Sequence, residues 1–282
     1  MSNEEQQKRM EEIKRQSEAV ENRLKDIGRL ILVLSGKGGV GKSTVAANMA
    51  MALSEAGKNV GLLDIDIHGP SIPGILGLEG RKMDSDGNMI TPIEYTPNLK
   101  VISIGFLLAN SDNAVIWRGP LKHQVIRQFL SDVNWGKLDY LVVDSPPGTG
   151  DEPLSIAQIL QTRIEEMTKS EKPSGAVIVT TPQNVAVNDV RKCVTFCRQI
   201  KMPVLGVVEN MSGFVCPECG EHVDIFKTGG GKKMANEMDI PFLGSIPLDP
   251  KIVETSDAGK PYLTQYKQSE ASRDFENIVK QL

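Results

Sequence analysis

The stretch Leu30-Ile-Leu-Val-Leu-Ser-Gly36-Lys-Gly-Gly-Val-Gly-Lys-Ser-Thr44 decides the fold. Five consecutive apolar residues, Leu30 to Leu34, suit a strand buried on both faces, as in parallel sheets covered by helices. The strand runs into Gly36-x-x-x-x-Gly41-Lys42-Ser43, and an Ala-rich helical stretch, Ser43–Ala56, follows. Strand, Gly-rich loop and helix in that order are the context in which this string binds nucleotide phosphates. Gly36, Gly38, Gly39 and Gly41 let the backbone wrap closely, so that successive N–H groups, that of Val40 included, point at phosphate oxygens. The helix beginning near Lys42 adds its positive end. Lys42 is expected to reach the β- and γ-phosphates, and the Ser43 hydroxyl to bind Mg²⁺ at the head of a helix that continues through Thr44. A chance Gly-rich turn is the competing reading, and the flanking strand and helix argue against it.

Working outward, similar apolar runs recur at Val60–Leu63, Val101–Ile104, Leu138–Val143, Ala176–Val179 and Val204–Val208, with a shorter one at Phe242-Leu243. Helical stretches such as Leu121–Val133 and Asn184–Gln199 lie between most of them. Alternating strands and helices predict an α/β fold, a mostly parallel sheet flanked by helices on both faces. Residues 81–97 break the rhythm, and Asp86-Gly87 reads as a hairpin turn at the sheet's margin. No linker, repeat or low-complexity segment interrupts residues 29–282, which read as one domain. Residues 1–28 read as a charged helical extension with Met10, Ile13, Val20, Leu24 and Ile27 at helical spacing. A solvated helix with a narrow packing stripe is the simpler account of it, and a short dimerising coiled coil the alternative.

The chain has 282 residues and a formal net charge of -4. Without a basic excess a general nucleic-acid role is not expected. No apolar run reaches the roughly 18 residues of a membrane span, and the N-terminus lacks the apolar segment of a secretory signal. Four cysteines in a chain of this size are no disulfide framework, so a cytoplasmic home is expected.

Two acidic segments follow apolar strands. Asp64-Ile65-Asp66 leaves the strand ending at Leu63, and Asp144-Ser145-Pro146-Pro147-Gly148 leaves the one ending at Val143. Carboxylates beyond strand ends lie where open α/β sheets bind ligands. Phosphoryl transfer is largely positioning and charge neutralisation, so Asp66 is assigned to the attacking water. Asp64 is assigned to the outer shell of Mg²⁺, and Asp144 to the approach to the metal expected of a Walker B acid. Solvated loop acids are the bland alternative for Asp64 and Asp66; His68 reads as a loop residue without proton chemistry.

Cys216-Pro-Glu-Cys219 lies in a turn-rich loop, residues 212–227. Two thiolates at this spacing fill half a tetrahedral site. A half-site completed by a second subunit around a [4Fe–4S] cluster, a zinc shared in the same way, and a redox dithiol are all open on spacing alone. Cys193 and Cys197, one helical turn apart in an amphipathic stretch, read as core thiols. His222 is a weaker candidate for a further ligand.

Taken together the motifs resemble the Mrp/ApbC family of iron–sulfur cluster carrier ATPases. The matching pieces are Gly36–Thr44, Asp64-Ile-Asp-Ile-His-Gly-Pro-Ser71, Asp144-Ser-Pro-Pro-Gly-Thr-Gly-Asp151, Thr181-Pro-Gln183, Val208-Glu-Asn-Met-Ser212, Cys216–Cys219 and Ile246-Pro-Leu-Asp249. The resemblance implies a homodimer that hydrolyses ATP, carries a [4Fe–4S] cluster on Cys216 and Cys219 of both subunits, and passes it to apo iron–sulfur proteins. It implies that Lys37 reaches across the dimer to the partner's nucleotide, and that Asn210, Pro247 and Leu248 contact the adenine. No membrane or nucleic-acid partner is implied. Two features of relatives are not seen: an N-terminal four-cysteine site, and a small domain ahead of the ATPase. The rival is a positioning ATPase of the MinD/ParA type with a bridged structural zinc. Such proteins often end in a basic amphipathic membrane helix. Here Ala271, Phe275, Ile278 and Leu282 share a helical face, but the charges around them are mixed, which predicts a helix packed on the body. A nitrogenase-type reductase would need a cysteine near Asp144–Asp151, and none is there.

Overall fold

A computed structural model of the chain describes residue 15 and residues 18–282, apart from 68, 86, 88, 108–118, 168–172, 217, 218 and 220. Met10, Ile13, His68 and Asp86 therefore lie outside the described residues. The strands in chain order are β1 (Leu30–Ser35), β2 (Val60–Asp64), β3 (Asp84–Ser85), β4 (Ile90–Thr91), β5 (Ile93–Thr96), β6 (Leu99–Ser103), β7 (Tyr140–Asp144), β8 (Gly175–Thr180), β9 (Val204–Glu209), β10 (Phe214–Val215), β11 (His222–Val223) and β12 (Phe242–Ser245). The helices are α1 (18–24), α2 (Lys42–Glu55), α3 (Ile72–Ile75), α4 (Gly119–Ser131), α5 (Asp151–Met167), α6 (Asn184–Gln199), α7 (Gly230–Glu237), α8 (Pro250–Asp257), α9 (Tyr262–Gln265) and α10 (Glu270–Gln281).

Eight strands form one sheet in the order β12-β9-β8-β1-β7-β2-β6-β5. Every pair from β12 to β6 is parallel, and β5 closes the edge antiparallel to β6. Strand alternation divides the core. Leu30, Leu32 and Leu34 of β1 enter the layer under α4, α5, α6 and α7, whereas Ile31 and Val33 face the layer under α2 and α10. Both faces of β1 are thus buried, which is why its run is unbroken. The expected hairpin at residues 81–97 is the antiparallel pair β3–β4. The antiparallel strand β5 was not anticipated. Its half-exposed Ile93-Glu-Tyr-Thr96 carries the mixed pattern of an edge, not the apolar run of an interior strand.

The described end of the N-terminal extension packs on its own chain. Val20, Leu24 and Ile27 are buried in the main core. Arg163 of α5 donates from Nε to the Leu24 carbonyl at 3.1 Å and from Nη2 to that of Ile27 at 3.3 Å, which ties the end of α1 and the turn after it to α5. The apolar face of α10 is likewise covered: Ala271, Phe275, Ile278 and Leu282 are buried, and the helix lies on α2 and β12.

Candidate nucleotide cleft and cysteine hairpin

Central β1 delivers the Gly-rich loop to the carboxyl edge of the sheet, and α2 begins at Lys42 as the sequence predicts. Gly41 has φ 79°, and a Cβ there would stand 2.2 Å from Asn210 Nδ2, so only glycine fits. Asn210 itself, just past β9, donates from Nδ2 to the Val40 carbonyl at 2.9 Å. A cleft of about 480 Å³ opens above the loop, lined among others by Lys37, Lys42, Ser43, Thr44, Asp66, Asn210, Pro247 and Leu248. That volume suits a nucleotide-sized ligand. The expected phosphate residues and the expected adenine residues therefore share one cavity.

The acids are gathered by sheet register. Asp64 and Asp144 end the neighbouring parallel strands β2 and β7 and are direct partners in register, both fully buried. Lys42 Nζ stands 2.5 Å from Asp144 Oδ1, 3.4 Å from Asp66 Oδ2 and 3.3 Å from Ser43 Oγ. The sequence reading turns Lys42 toward phosphate; in the structure its ammonium is held by the two switch acids. A single buried cation amid three buried carboxylates explains this, because each unpaired charge there is costly. Among the described residues Asp64 forms no direct ion pair, with Lys42 acting on it only from a distance. It accepts hydrogen bonds from Ser103 Oγ at 2.8 Å, from the Asp66 amide at 3.1 Å and from the Ile72 amide at 3.3 Å. It thereby anchors the start of the switch loop on which Asp66 sits.

Burial, and next the neighbouring Asp144, push the Asp64 carboxyl up to about 8 from its ordinary 3.8. Asp144 is also raised by burial, with Lys42 opposing. A raised carboxyl holds its proton in the folded chain at pH values where the unfolded chain has lost it. Its stabilising contribution is therefore present below about pH 4 and is lost as pH rises toward about pH 8. Asp64→Asn, which keeps the shape without the charge, is expected to melt at progressively higher temperature than the parent as pH rises through this window in EDTA. A difference in melting temperature that does not change with pH would rule out a protonated Asp64.

Asp144 Oδ2 is buried and has no hydrogen-bond partner among the described residues. An orphaned carboxylate oxygen at the head of α2, where Ser43 lies, is a donor set that suits a hard cation preferring oxygen.

The cysteine pair lies on an antiparallel hairpin, β10–β11, in which Val215 is opposite His222 and the Cys216 amide donates to the Glu221 carbonyl at 2.9 Å. Cys216 is half-buried and Cys219 exposed, while Cys193 and Cys197 are buried in the core on α6. A hydrogen bond to Cys197, and next burial, push the Cys193 thiol up, away from the thiolate form that reacts. Among the described residues no three His, Cys, Asp or Glu side chains gather as a metal site, so His222 completes no such group with the pair.

The five-residue connector from Asn210 to Cys216 is tied to the cleft wall. The Ser212 amide donates to the Ile246 carbonyl at 2.9 Å, the Leu248 amide donates to the Gly213 carbonyl at 2.8 Å, and Phe214 bridges Leu248 in parallel. Two residues of the site were not anticipated from sequence. Ser103 fixes Asp64 from the end of β6. Glu209, the last residue of β9, is fully buried and holds both ends of the cysteine hairpin. A signal existed for both: a polar side chain closing a buried apolar run at the ligand edge of the sheet.

Fold and cleft together define a P-loop nucleotide-binding protein. A family model described as ParA, NUBPL iron-transfer P-loop NTPase, matches residues 26–282, and the chain belongs to that family. It is 48% identical over 260 residues to the iron-sulfur cluster carrier protein of Saccharolobus solfataricus, covering 92% of this chain and 84% of that one. It is 48% identical over 258 residues to the cytosolic Fe-S cluster assembly factor NUBP2 homolog of Nematostella vectensis, covering 91% of this chain and 93% of that one. Among solved structures it resembles a nucleotide-binding protein from Archaeoglobus fulgidus in complex with ADP, with TM-score 0.73 and 42% identity, covering 86% of this chain and 91% of that one.

Proposed function

We propose that this protein is an ATP-hydrolysing carrier of a [4Fe–4S] cluster, which it holds between two copies of itself on Cys216 and Cys219 and delivers to apo iron–sulfur proteins in the cytoplasm. The observation that carries this reading is an accessible Cys-x-x-Cys hairpin whose connector is hydrogen-bonded to the wall of a nucleotide cleft. One pair supplies two of the four thiolates a cluster needs, so two chains share it. The names of the 48% identical relatives point to the same cargo.

In the cleft the loop amides and Lys42 hold the phosphates, and Lys37 at its mouth reaches the partner's nucleotide on closure. Ser43 and Asp144 would hold Mg²⁺, with Asp64 in its outer shell, and the ion would supply charge neutralisation at the phosphates. Lys42, paired with Asp144 in this structure, would turn to phosphate when nucleotide binds, and Asp144 would then be available to the metal. Asp66 orients the attacking water. Turnover is slow, since no arginine finger is evident in the sequence. The rival membrane-positioning reading finds no support in α10, whose apolar side is already buried against the body. Among the described residues no helix is long and apolar enough to cross a membrane.

The test is anaerobic reconstitution with iron and sulfide. About four irons per two chains and a visible charge-transfer spectrum are expected. One cluster per chain would overturn the bridging reading, and zinc bound in preference would overturn the cluster reading. A second measurement addresses linkage. If cleft and cluster are coupled, ATP affinity by anaerobic calorimetry differs between metal-free and cluster-loaded dimer by about 1–3 kcal/mol, and the difference shrinks in Lys37→Ala. Equal affinities would leave the cluster as passive cargo.

A further inference from the structure

Glu209 and Asn210 are adjacent in sequence and grip different parts of the molecule. Asn210 holds the phosphate loop through the Val40 carbonyl at 2.9 Å. Glu209 Oε1 accepts from Ser212 Oγ at 2.5 Å and from the Gly229 amide at 2.8 Å, and Oε2 accepts from the Gly231 amide. Ser212 lies at the start of the cysteine hairpin and Gly229 beyond its end, at the head of α7. One buried carboxylate therefore closes the base of the loop that carries Cys216 and Cys219. No cation among the described residues pairs with it. Its charge is instead met by three donors, two of them amides at the positive end of α7. Gly231 makes the approach feasible: a Cβ there would stand 3.0 Å from Glu209 Oε2.

We propose that Glu209 is a positioning residue that transmits the nucleotide state of the cleft to the cysteine pair, by holding both stems of the hairpin to the strand end from which Asn210 holds the phosphate loop. The shared peptide makes the two grips one rigid unit. A shift of the loop on nucleotide binding moves Asn210, and Glu209 carries the displacement into both stems together. With the carboxylate gone the stems are free of each other, and the thiols no longer report the nucleotide. The inference rests on the reading of Cys216 and Cys219 as the functional pair, but its test needs no metal.

The measurement is the alkylation rate of Cys216 and Cys219 by iodoacetamide, resolved by peptide mass, in the full metal-free protein with and without saturating ATP and Mg²⁺. Cys193 and Cys197 are buried and serve as internal controls. In the parent, ATP is expected to change the rate by about fivefold or more, the lower end of ordinary allosteric coupling. Glu209→Gln, nearly the same shape, replaces an acceptor by a donor facing donors and is expected to bring the ratio of rates close to one. Ser212→Ala releases one stem and is expected to give an intermediate ratio, and Ser212→Thr, which keeps the hydroxyl, to restore it. A merely structural role would lower the melting temperature of Glu209→Gln and leave the ratio at the parent value. That result, or a parent ratio of one, overturns the proposal. Should Glu209→Gln fail to fold, the Ser212 pair decides, and equal ratios in Ser212→Ala and the parent overturn it. Failure of iron reconstitution with a nucleotide-dependent ratio would count against the cluster reading alone.

Discussion

Asp66→Ala is expected to lower ATP turnover by about two to four orders of magnitude, the usual contribution of a positioned acid–base group, while ATP still binds. The expectation follows from what Asp66 touches. It lies two residues past β2, on a loop start fixed by Asp64, lines the cleft, and stands 3.4 Å from Lys42. It can therefore face a water beside the terminal phosphate without being needed to hold the nucleotide. Lys42→Ala should act differently. It removes the phosphate-binding ammonium and leaves Asp144 and Asp66 without their cation, and breaking a buried pair in this way costs about 3–5 kcal/mol of stability. Nucleotide affinity and melting temperature should fall together in Lys42→Ala, and only turnover in Asp66→Ala. Steady-state phosphate release, nucleotide titration and thermal unfolding separate the two. Parent-like hydrolysis by Asp66→Ala would show that the roles of the switch acids are wrongly divided.

Cys216→Ala or Cys219→Ala should abolish the visible thiolate-to-iron absorption of the reconstituted protein, whereas Cys193→Ala and Cys197→Ala should retain it. The contrast comes from placement. The first two thiols are on a hairpin that a second chain can meet; the others are fully buried on the core side of α6. A bridged site with one ligand removed from each chain keeps two of four thiolates, too few for a cluster fixed by four. The readouts are iron content and the visible spectrum after anaerobic reconstitution. Loss of absorption on changing Cys193 would remove the basis for a site shared between hairpins.

The strand–loop–helix at Leu30–Glu55 was legible in sequence because its signals are local: a continuous apolar run, glycines where backbone must approach phosphate, and a helix-forming stretch behind them. Asn184–Gln199 was legible for the same reason, with its period of 3.6 and buried Val187, Val190 and Val194. The helix Asp151–Met167 and the strand Ile93–Thr96 were missed. The first follows a Gly/Pro-rich switch that masks its start, and the second is an edge whose pattern depends on having one neighbour.

By itself, then, the sequence marked which residue types are candidates to meet phosphate and metal, since a P loop, two acids after strands and a Cys-x-x-Cys pair state their chemistry within a few positions. Only the tertiary structure decided which of them touch. The register of β2 with β7 put Asp64 beside Asp144, where burial and the neighbouring acid push its carboxyl up, a consequence that no linear spacing encodes. The passage of the chain from Asn210 past Ile246 and Leu248 joined the cysteine hairpin to the nucleotide wall. The closure of that hairpin by Glu209 depends on bringing Gly229 and Gly231, some twenty residues away in the chain, to one buried carboxylate. Contacts of this kind are set by packing across the whole sheet, because a buried charge settles where enough donors converge, wherever they lie in the chain.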